Sequence, residues 1–236
     1  MAGESKRDYP ASISHQSAWY PEYKYVEDYF SRINLLLQQG EPDCDVLVVH
    51  PGESLWAQFH LGWARWLGSD SAQIDSLEEK FATLYRWLVD AQIDFDYGDE
   101  EQMERLGSIE VVDDEVFFRL GQMCYRSIVI GGMDTLRGTT LSILKAFSAA
   151  GGSVVFAGPC PDYVDAELSN EPLAIAGEIG SSGWNQASIV SAIRTVSEQV
   201  LALNRGAGVA GVLSHVRRLE NGDVIVALVN TTERAI

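Results

Sequence analysis

Three sets of residues in this chain are of types that could do chemistry. Carboxylates cluster at Asp75, Glu78 and Glu79 and again at Asp99, Glu100, Glu101 and Glu104; this residue type does general acid–base work when two groups face each other across a pocket. Cys160 is a candidate nucleophile, with His50 and Glu53 as candidate partners. A thiolate of that kind needs a neighbouring cation or helix terminus to lower its pKa. The third set is aromatic. Trp56, Phe59, Trp63 and Trp66 recur at three- or four-residue spacing, and Trp19 and Tyr20 stand beside His15 and Gln16 in an irregular segment, where exposed rings bind ligands.

Each set also has a plainer reading. Acidic runs are solvated helix faces or partners of a helix N-terminal dipole, and nothing in the sequence holds two of these carboxylates across a pocket. Cys160 lies between Pro159 and Pro161, where a small apolar loop cysteine is the simpler account. The helical spacing of the tryptophans favours core, or a face docked on a neighbour, over a sugar-stacking surface. His60 and His215 lack partners at ligand spacing and are expected to be structural, while Asp162 and Asp165 are expected to open a short helix. The turn HPGESLW lacks the glycine spacing that admits a pyrophosphate, and Gly131-Gly132 is a bare pair suited to a tight turn. The chain has 3 cysteines, Cys44, Cys124 and Cys160, too few and too scattered for a disulfide framework or a zinc site. No cofactor and no metal is expected.

The elements that must position these residues are legible from Tyr125 to Pro159. Ser-Ile-Val-Ile is an unbroken apolar run suited to a parallel strand buried on both faces. Thr139 or Thr140 is placed to cap a helix with Leu141, Leu144 and Phe147 on one face, and Gly151-Gly152 ends it before Val154-Val155-Phe156-Ala157 returns as a strand. Such a crossover makes the two strands parallel neighbours, and chemistry in such sheets sits beyond the C-terminal strand ends. Here those loops read GGMDTL and GPCPDY. Upstream, Glu22 to Gln39 is an amphipathic helix with Val26, Phe30, Ile33 and Leu37 on its stripe. DVLVVH is a buried strand, and a helix capped by Asp70 or Ser71 presents Ile74, Leu77, Phe81, Leu84 and Leu88. A strand follows at Ile93 to Tyr97, then a short acidic helix from Asp99 to Leu106 and a hairpin around Asp113-Asp114. Gln186 to Leu203 is a further helix. Val212 to Leu219 and Val224 to Val229 flank Asn221-Gly222, a strong hairpin signal.

The 236 residues carry a net charge of −17 with 46% hydrophobic residues. That charge, with no basic stripe, disfavours nucleic acid and anionic membrane as partners. No stretch is long and apolar enough to cross a bilayer, and MAGESKRDYP is too polar for a signal peptide, so the sequence assigns no compartment. Two strands alone are marginally stable, so the C-terminal hairpin reads as the opening of a β-domain, and the chain as a middle segment of a larger protein.

Five stretches follow one family pattern in order: residues 6–40 (KRDYPASISHQSAWYPEYKYVEDYFSRINLLLQQG), 43–59 (DCDVLVVHPGESLWAQF), 93–103 (IDFDYGDEEQM), 125–159, and 219–235 (LENGDVIVALVNTTERA). Together they resemble the region after the catalytic (β/α)8 barrel in multidomain glycoside hydrolases of the α-L-rhamnosidase-like group. They are also similar to the trimerisation domain of some β-galactosidases. The resemblance implies the closing loop and helix of a barrel over residues 1–40, a glutamine-amidotransferase-like α/β domain over 41–207, and the first strands of a β-sandwich over 208–236. The expected fold is thus α/β: a doubly wound, mostly parallel flavodoxin-like sheet, preceded by a long helix and followed by an orphan β-hairpin. The implied function is an accessory, non-catalytic domain with a scaffolding or oligomerisation role, its partners the parent barrel and sandwich and a second copy of itself. The catalytic carboxylates would lie on the barrel, outside these residues. His15, Gln16, Trp19 and Tyr20 would contribute to the parent's sugar pocket, making carbohydrate a candidate ligand. The alternative is a stand-alone PfpI-like cysteine hydrolase using Cys160. Such enzymes carry their cysteine on a tight elbow directly after a strand like Ser153 to Ala157, but Ala157 and Gly158 occupy that elbow here.

Overall fold

The structure, a computed structural model, describes residues 15, 17–58, 71–197, 203–204, 207–209 and 211–233. They fall into two compact units, Met1–Pro42 with Arg217–Ala227 and Asp43–Val216 with Leu228–Ile236. In the first unit a 3-10 turn at Tyr20–Glu22 leads into α1 (Tyr23–Leu37), and β1 (Glu41–Pro42) follows. Pro21 sits in the first turn, where its missing N–H would have had no helical partner. The stripe expected on α1 is present but uncovered: no residue of the helix is buried, and Val26 and Phe30 are exposed. Gly40 adopts φ +60°, and a Cβ there would lie 2.1 Å from the Arg218 carbonyl oxygen, so only glycine fits this turn. β1 pairs antiparallel, Glu41 opposite Arg218 and Pro42 opposite Arg217.

The second unit begins with β2 (Val46–Val49), α2 (Gly52–Trp56), α3 (Ala72–Asp90), β3 (Asp96–Gly98) and α4 (Glu100–Leu106). It continues through β4 (Gly107–Val112), β5 (Glu115–Leu120), β6 (Met123–Tyr125), β7 (Ser127–Gly131), β8 (Thr135–Leu136), α5 (Gly138–Ala150) and β9 (Ser153–Ala157). The short strands β10 (Tyr163–Val164) and β11 (Glu167–Leu168) precede α6 (Glu171–Ile179), β12 (Ser181–Ser182) and α7 (Gln186–Arg194). Two more short strands, β13 (Leu203–Asn204) and β14 (Ala207–Gly208), lead to β15 (Val212–Arg218) and β16 (Val224–Asn230).

The central sheet has five strands in the order β12-β9-β7-β2-β3, all parallel. Renumbered by chain position this is 2-1-3-4-5, the doubly wound flavodoxin-like order. β2 and β7 are buried at every position because both sheet faces are covered. Alternation assigns each residue to a face. Leu47, Val49, Ile128, Ile130 and Phe156 pack with Leu141, Leu144 and Phe147 of α5 and with Ile175 of α6. Val46, Val48, Val129 and Val155 pack with Leu84 and Leu88 of α3 and with Ile189 and Ile193 of α7. The expected α3 face is found, capped by Ser71 Oγ, which accepts from the Ile74 amide.

Several local expectations give way to tertiary demands. α5 is not capped by Thr139 or Thr140; it starts at Gly138 after Arg137, with no side-chain cap of its own. Asp162 and Asp165 do not open a helix. Asp162 precedes the β10–β11 hairpin, and Asp165 lies in its two-residue turn at φ +51° beside Ala166 at φ +63°. The Asp113-Asp114 hairpin forms as expected, both residues at positive φ, and β6 adds a third strand. α7 ends at Arg194, short of Leu203, and residues 198–202 lie outside the described set.

The C-terminal hairpin follows the sheet, and β1 joins its first strand. That strand up to Val216 packs within the α/β unit: Val212 and Val216 are 6% and 5% exposed, and His215 Nδ1 lies 2.8 Å from Asp94 Oδ2. The chain passes between the two units after Pro42, after Val216 and after Ala227. Among the exposed apolar residues of the hairpin are Val224, Val226 and Leu228. Removing all residues after Ala207 is expected to cost about 3 kcal/mol or more through the two buried valines and to lower Tm by roughly 10 °C, read by calorimetry. An unchanged Tm with higher solubility would show the hairpin to be independent of the α/β unit.

Candidate functional site

Reversal of strand order between β2 and β7 leaves a crevice beyond their C-terminal ends, the place where open α/β sheets bind ligands. The loops that line it leave three neighbouring strands: α2 after β2, residues 132–137 after β7, and residues 158–168 after β9. Ser54, 1% exposed, joins the first two loops. Its Oγ accepts from the amides of Asp134 at 2.9 Å and Thr135 at 3.0 Å and donates to the Thr135 carbonyl at 3.3 Å. Thr135 Oγ1 in turn accepts from the Ala166 amide at 3.1 Å, drawing in the third loop. Gln58 donates to Asp134 at 3.0 Å, and Gly132 turns at φ +69° against Lys80.

The crevice holds two open cavities that share Ala57, Thr135 and Ala166 as a wall. One, of about 450 Å3, is lined by Glu53, Trp56, Glu104, Arg137, Thr139 and Asp165 among others. The second, of about 580 Å3, includes Ser54, Gln58, Asp134 and Tyr163. Arg137 organises the first. Its Nε donates to Glu53 Oε1 at 2.5 Å, its guanidinium lies 3.8 Å from Glu104, and its amide donates to Glu100 Oε2 at 2.8 Å. The hydrogen bond to Glu53 raises the Arg137 pKa further. Asp165 Oδ1 accepts from the Gly138 amide at 3.1 Å. The N-terminus of α5 is thus satisfied by carboxylates from α4 and from the β10–β11 turn.

Each carboxylate exposed in this cavity already has a donor, an arrangement unsuited to holding a general acid. Glu100 is different. The acidic run of α4 was expected to be solvated, but Glu100 is 2% exposed, and burial pushes its carboxyl pKa up against the opposing pull of the Arg137 amide that Oε2 accepts. Glu100 Oε1 and Thr140 Oγ1 have no partner at hydrogen-bonding geometry. Glu100 is not among the residues that line either cavity.

Cys160 packs against the core cluster, and burial followed by the Asp162 charge raises its thiol pKa, the opposite of what a nucleophile needs. His50 packs edge-on to Phe81 and Tyr97. The elbow after β9 is closed: Gly158 sits at φ +81°, and a Cβ built there would lie 2.7 Å from the Trp184 ring. Elsewhere in the unit, burial raises the Asp94 pKa against the lowering effect of its bond to His215. Among the described residues no group of three or more His, Cys, Asp or Glu could hold a metal ion, and no helix is long and apolar enough to cross a membrane.

His15, Trp19 and Tyr20 are exposed in the first unit, with the Trp19 ring 5.9 Å from Tyr23; Gln16 lies outside the described residues. Phe59, His60, Trp63 and Trp66 also lie outside them, whereas Trp56 stands on the cavity wall, 60% exposed. Neither a protein-family model nor a curated protein matches this chain.

Ser54→Ala leaves two inward-facing amides without an acceptor and is expected to cost about 1–3 kcal/mol. The amides of Asp134 and Thr135 should then exchange with deuterium faster than those of β9; unchanged protection would refute the joining role. Glu100→Gln tests the buried carboxyl. Because the folded pKa is raised, the folded state favours the protonated form, and stability is lost as pH rises through the folded value. The neutral glutamine should therefore raise Tm at pH 7, with the gain fading as pH falls through the raised folded value and gone below 4.5, the ordinary glutamate value. A wild-type protein more stable than the variant at pH 7 would contradict this.

Proposed function

We propose that this chain is an accessory, non-catalytic α/β domain of a carbohydrate-active glycoside hydrolase of the α-L-rhamnosidase-like group, with a scaffolding or oligomerisation role. The observation that carries the reading is the closed elbow. A glutamine-amidotransferase-like fold exposes its nucleophile at the turn after β9, and in this chain glycine occupies that turn with Trp184 packed where a side chain would stand. The rim carboxylates have donors, so no pair is poised across a scissile bond as glycoside cleavage requires. The Cys160 hydrolase reading has no observation in its favour, because that thiol is packed and its pKa is raised.

The uncovered face of α1 supports a docking role. Val26 and Phe30, on its apolar stripe, are exposed, and no residue of the helix is buried. Burying each such side chain is worth about 1.5–3 kcal/mol. A barrel neighbour is the occupant the resemblance supplies.

The purified chain is expected to leave aryl α-L-rhamnoside and aryl β-D-galactoside unhydrolysed. An antibody against Asp43–Val216 should detect, in the source cells, a much larger polypeptide that co-purifies with glycosidase activity. Turnover by the purified chain that is lost in Glu53→Gln, or a cellular product of only 236 residues, would overturn the reading.

A further inference from the structure

We propose that the cavity bounded by Trp56, Glu53, Arg137, Glu104 and Thr139 is a binding site for a neutral sugar ring, separate from any catalytic centre. Three observations converge on it. The first is topological: the cavity lies at the strand-order reversal, and all its walls belong to the α/β unit. The second is the indole. Trp56 ends the five-residue helix α2 and is 60% exposed, although its neighbour two positions earlier, Ser54, is buried. A large apolar ring left in water on a cavity wall offers a flat platform for the C–H face of a pyranose.

The third observation is the polar chemistry of the same cavity. Arg137 engages Glu53 through Nε and approaches Glu104 at 3.8 Å, so guanidinium N–H groups remain beyond the Nε bond. Thr139 Oγ1 lies 3.4 Å from Glu104 Oε2, a long contact that leaves the hydroxyl and the carboxylate room for another partner. Glu53, Arg137, Glu104 and Thr139 offer acceptors and donors in alternation along their contacts, which suits vicinal hydroxyl groups, since each both donates and accepts a hydrogen bond. The charges argue against other ligand classes. Glu53, Glu104 and Asp165 repel an anion from the lone Arg137. A cation would meet Arg137 itself, fixed by Glu53 on the cavity wall. The volume of about 450 Å3 exceeds that of one sugar ring and admits a disaccharide end. This site is independent of the scaffold reading, since it needs no barrel and no catalysis.

The test is 19F NMR on the full chain labelled with 5-fluorotryptophan, the Trp56 line assigned by its loss in Trp56→Phe. The probes are methyl α-L-rhamnopyranoside, methyl β-D-galactopyranoside and cellobiose as neutral sugars, tetramethylammonium as a cation and inorganic phosphate as an anion. The Trp56 line is expected to shift saturably with at least one neutral sugar, with Kd in the millimolar range, and with neither ion. Followed by calorimetry, Trp56→Ala is expected to weaken that binding by about tenfold or more with Tm unchanged, because the ring is exposed. Glu104→Gln, also at an exposed side chain, should weaken it less and change which sugar is preferred. A shift with tetramethylammonium or phosphate alone overturns the proposal, as does no shift with any probe, or sugar binding that survives Trp56→Ala. Sugar binding at Trp56 in a protein with no barrel partner would leave this site standing and remove the scaffold reading. The reverse result would remove the site alone.

Discussion

A parallel sheet holds its strands by their ladders but does nothing for the loops beyond them, and in this fold a buried hydroxyl ties the loops after β2 and β7 together, with the Gln58–Asp134 and Arg137–Glu53 bonds beside it. Ser54 accepts two amides and donates to one carbonyl. Without it, Asp134 and Thr135 would turn their amides inward with no acceptor, at a cost comparable to a large fraction of a domain's marginal stability. The placement follows from the sequence of constraints on α2. The helix is only five residues long and starts directly after the strand, so Ser54 falls on its inner side and Trp56 on its outer side. Once Thr135 is held, its own hydroxyl fixes Ala166, and β8 pairs with β10. The rim is one connected structure.

Charge follows the same geometry. A chain with net charge −17 would be expected to carry its carboxylates outward, yet Glu100 and Asp165 turn towards the amides at the start of α5. A helix with no capping side chain at its own N-terminus needs acceptors from elsewhere, and here two separate elements supply them. Arg137 sits between them and neutralises Glu53. Acidity at the rim is therefore used locally, and little of it is free for proton transfer.

The three central strands were legible because strands buried on both faces are almost wholly apolar, as VLVV, IVI and VVFA are. α3 was legible from its period and its serine cap. The β10–β11 turn was not, because two-residue strands have no measurable period and Ala166 at positive φ carries no turn signature. Thr139 and Thr140 misled for a related reason: a local cap was read where tertiary carboxylates do the work. Glu100 was invisible as a buried group, since an acidic helix reads as solvated until the partner that covers it is known. Trp56 was assigned to packing by its spacing with Phe59, Trp63 and Trp66. Spacing reports which residues share a helix face and is silent on whether that face is covered.

The closed elbow explains why function in this fold would move along the rim. A tight strand-to-helix turn at positive φ is an efficient way to expose a side chain, but only if the space above it is open. Here Trp184 fills that space, itself packed against Trp87 and the cluster beneath α3 and α7. The Gly158 amide donates to the Ser182 carbonyl at 2.8 Å, fastening the turn to the edge strand β12. A residue with a side chain at 158 would have to displace an indole that two helices help to hold. The position where chemistry would be expected is thereby committed to packing. The nearest open surface is one strand over, where Ser54 orders the loops and Arg137 sets the polar wall. Trp56 is a large apolar side chain that faces the solvent there.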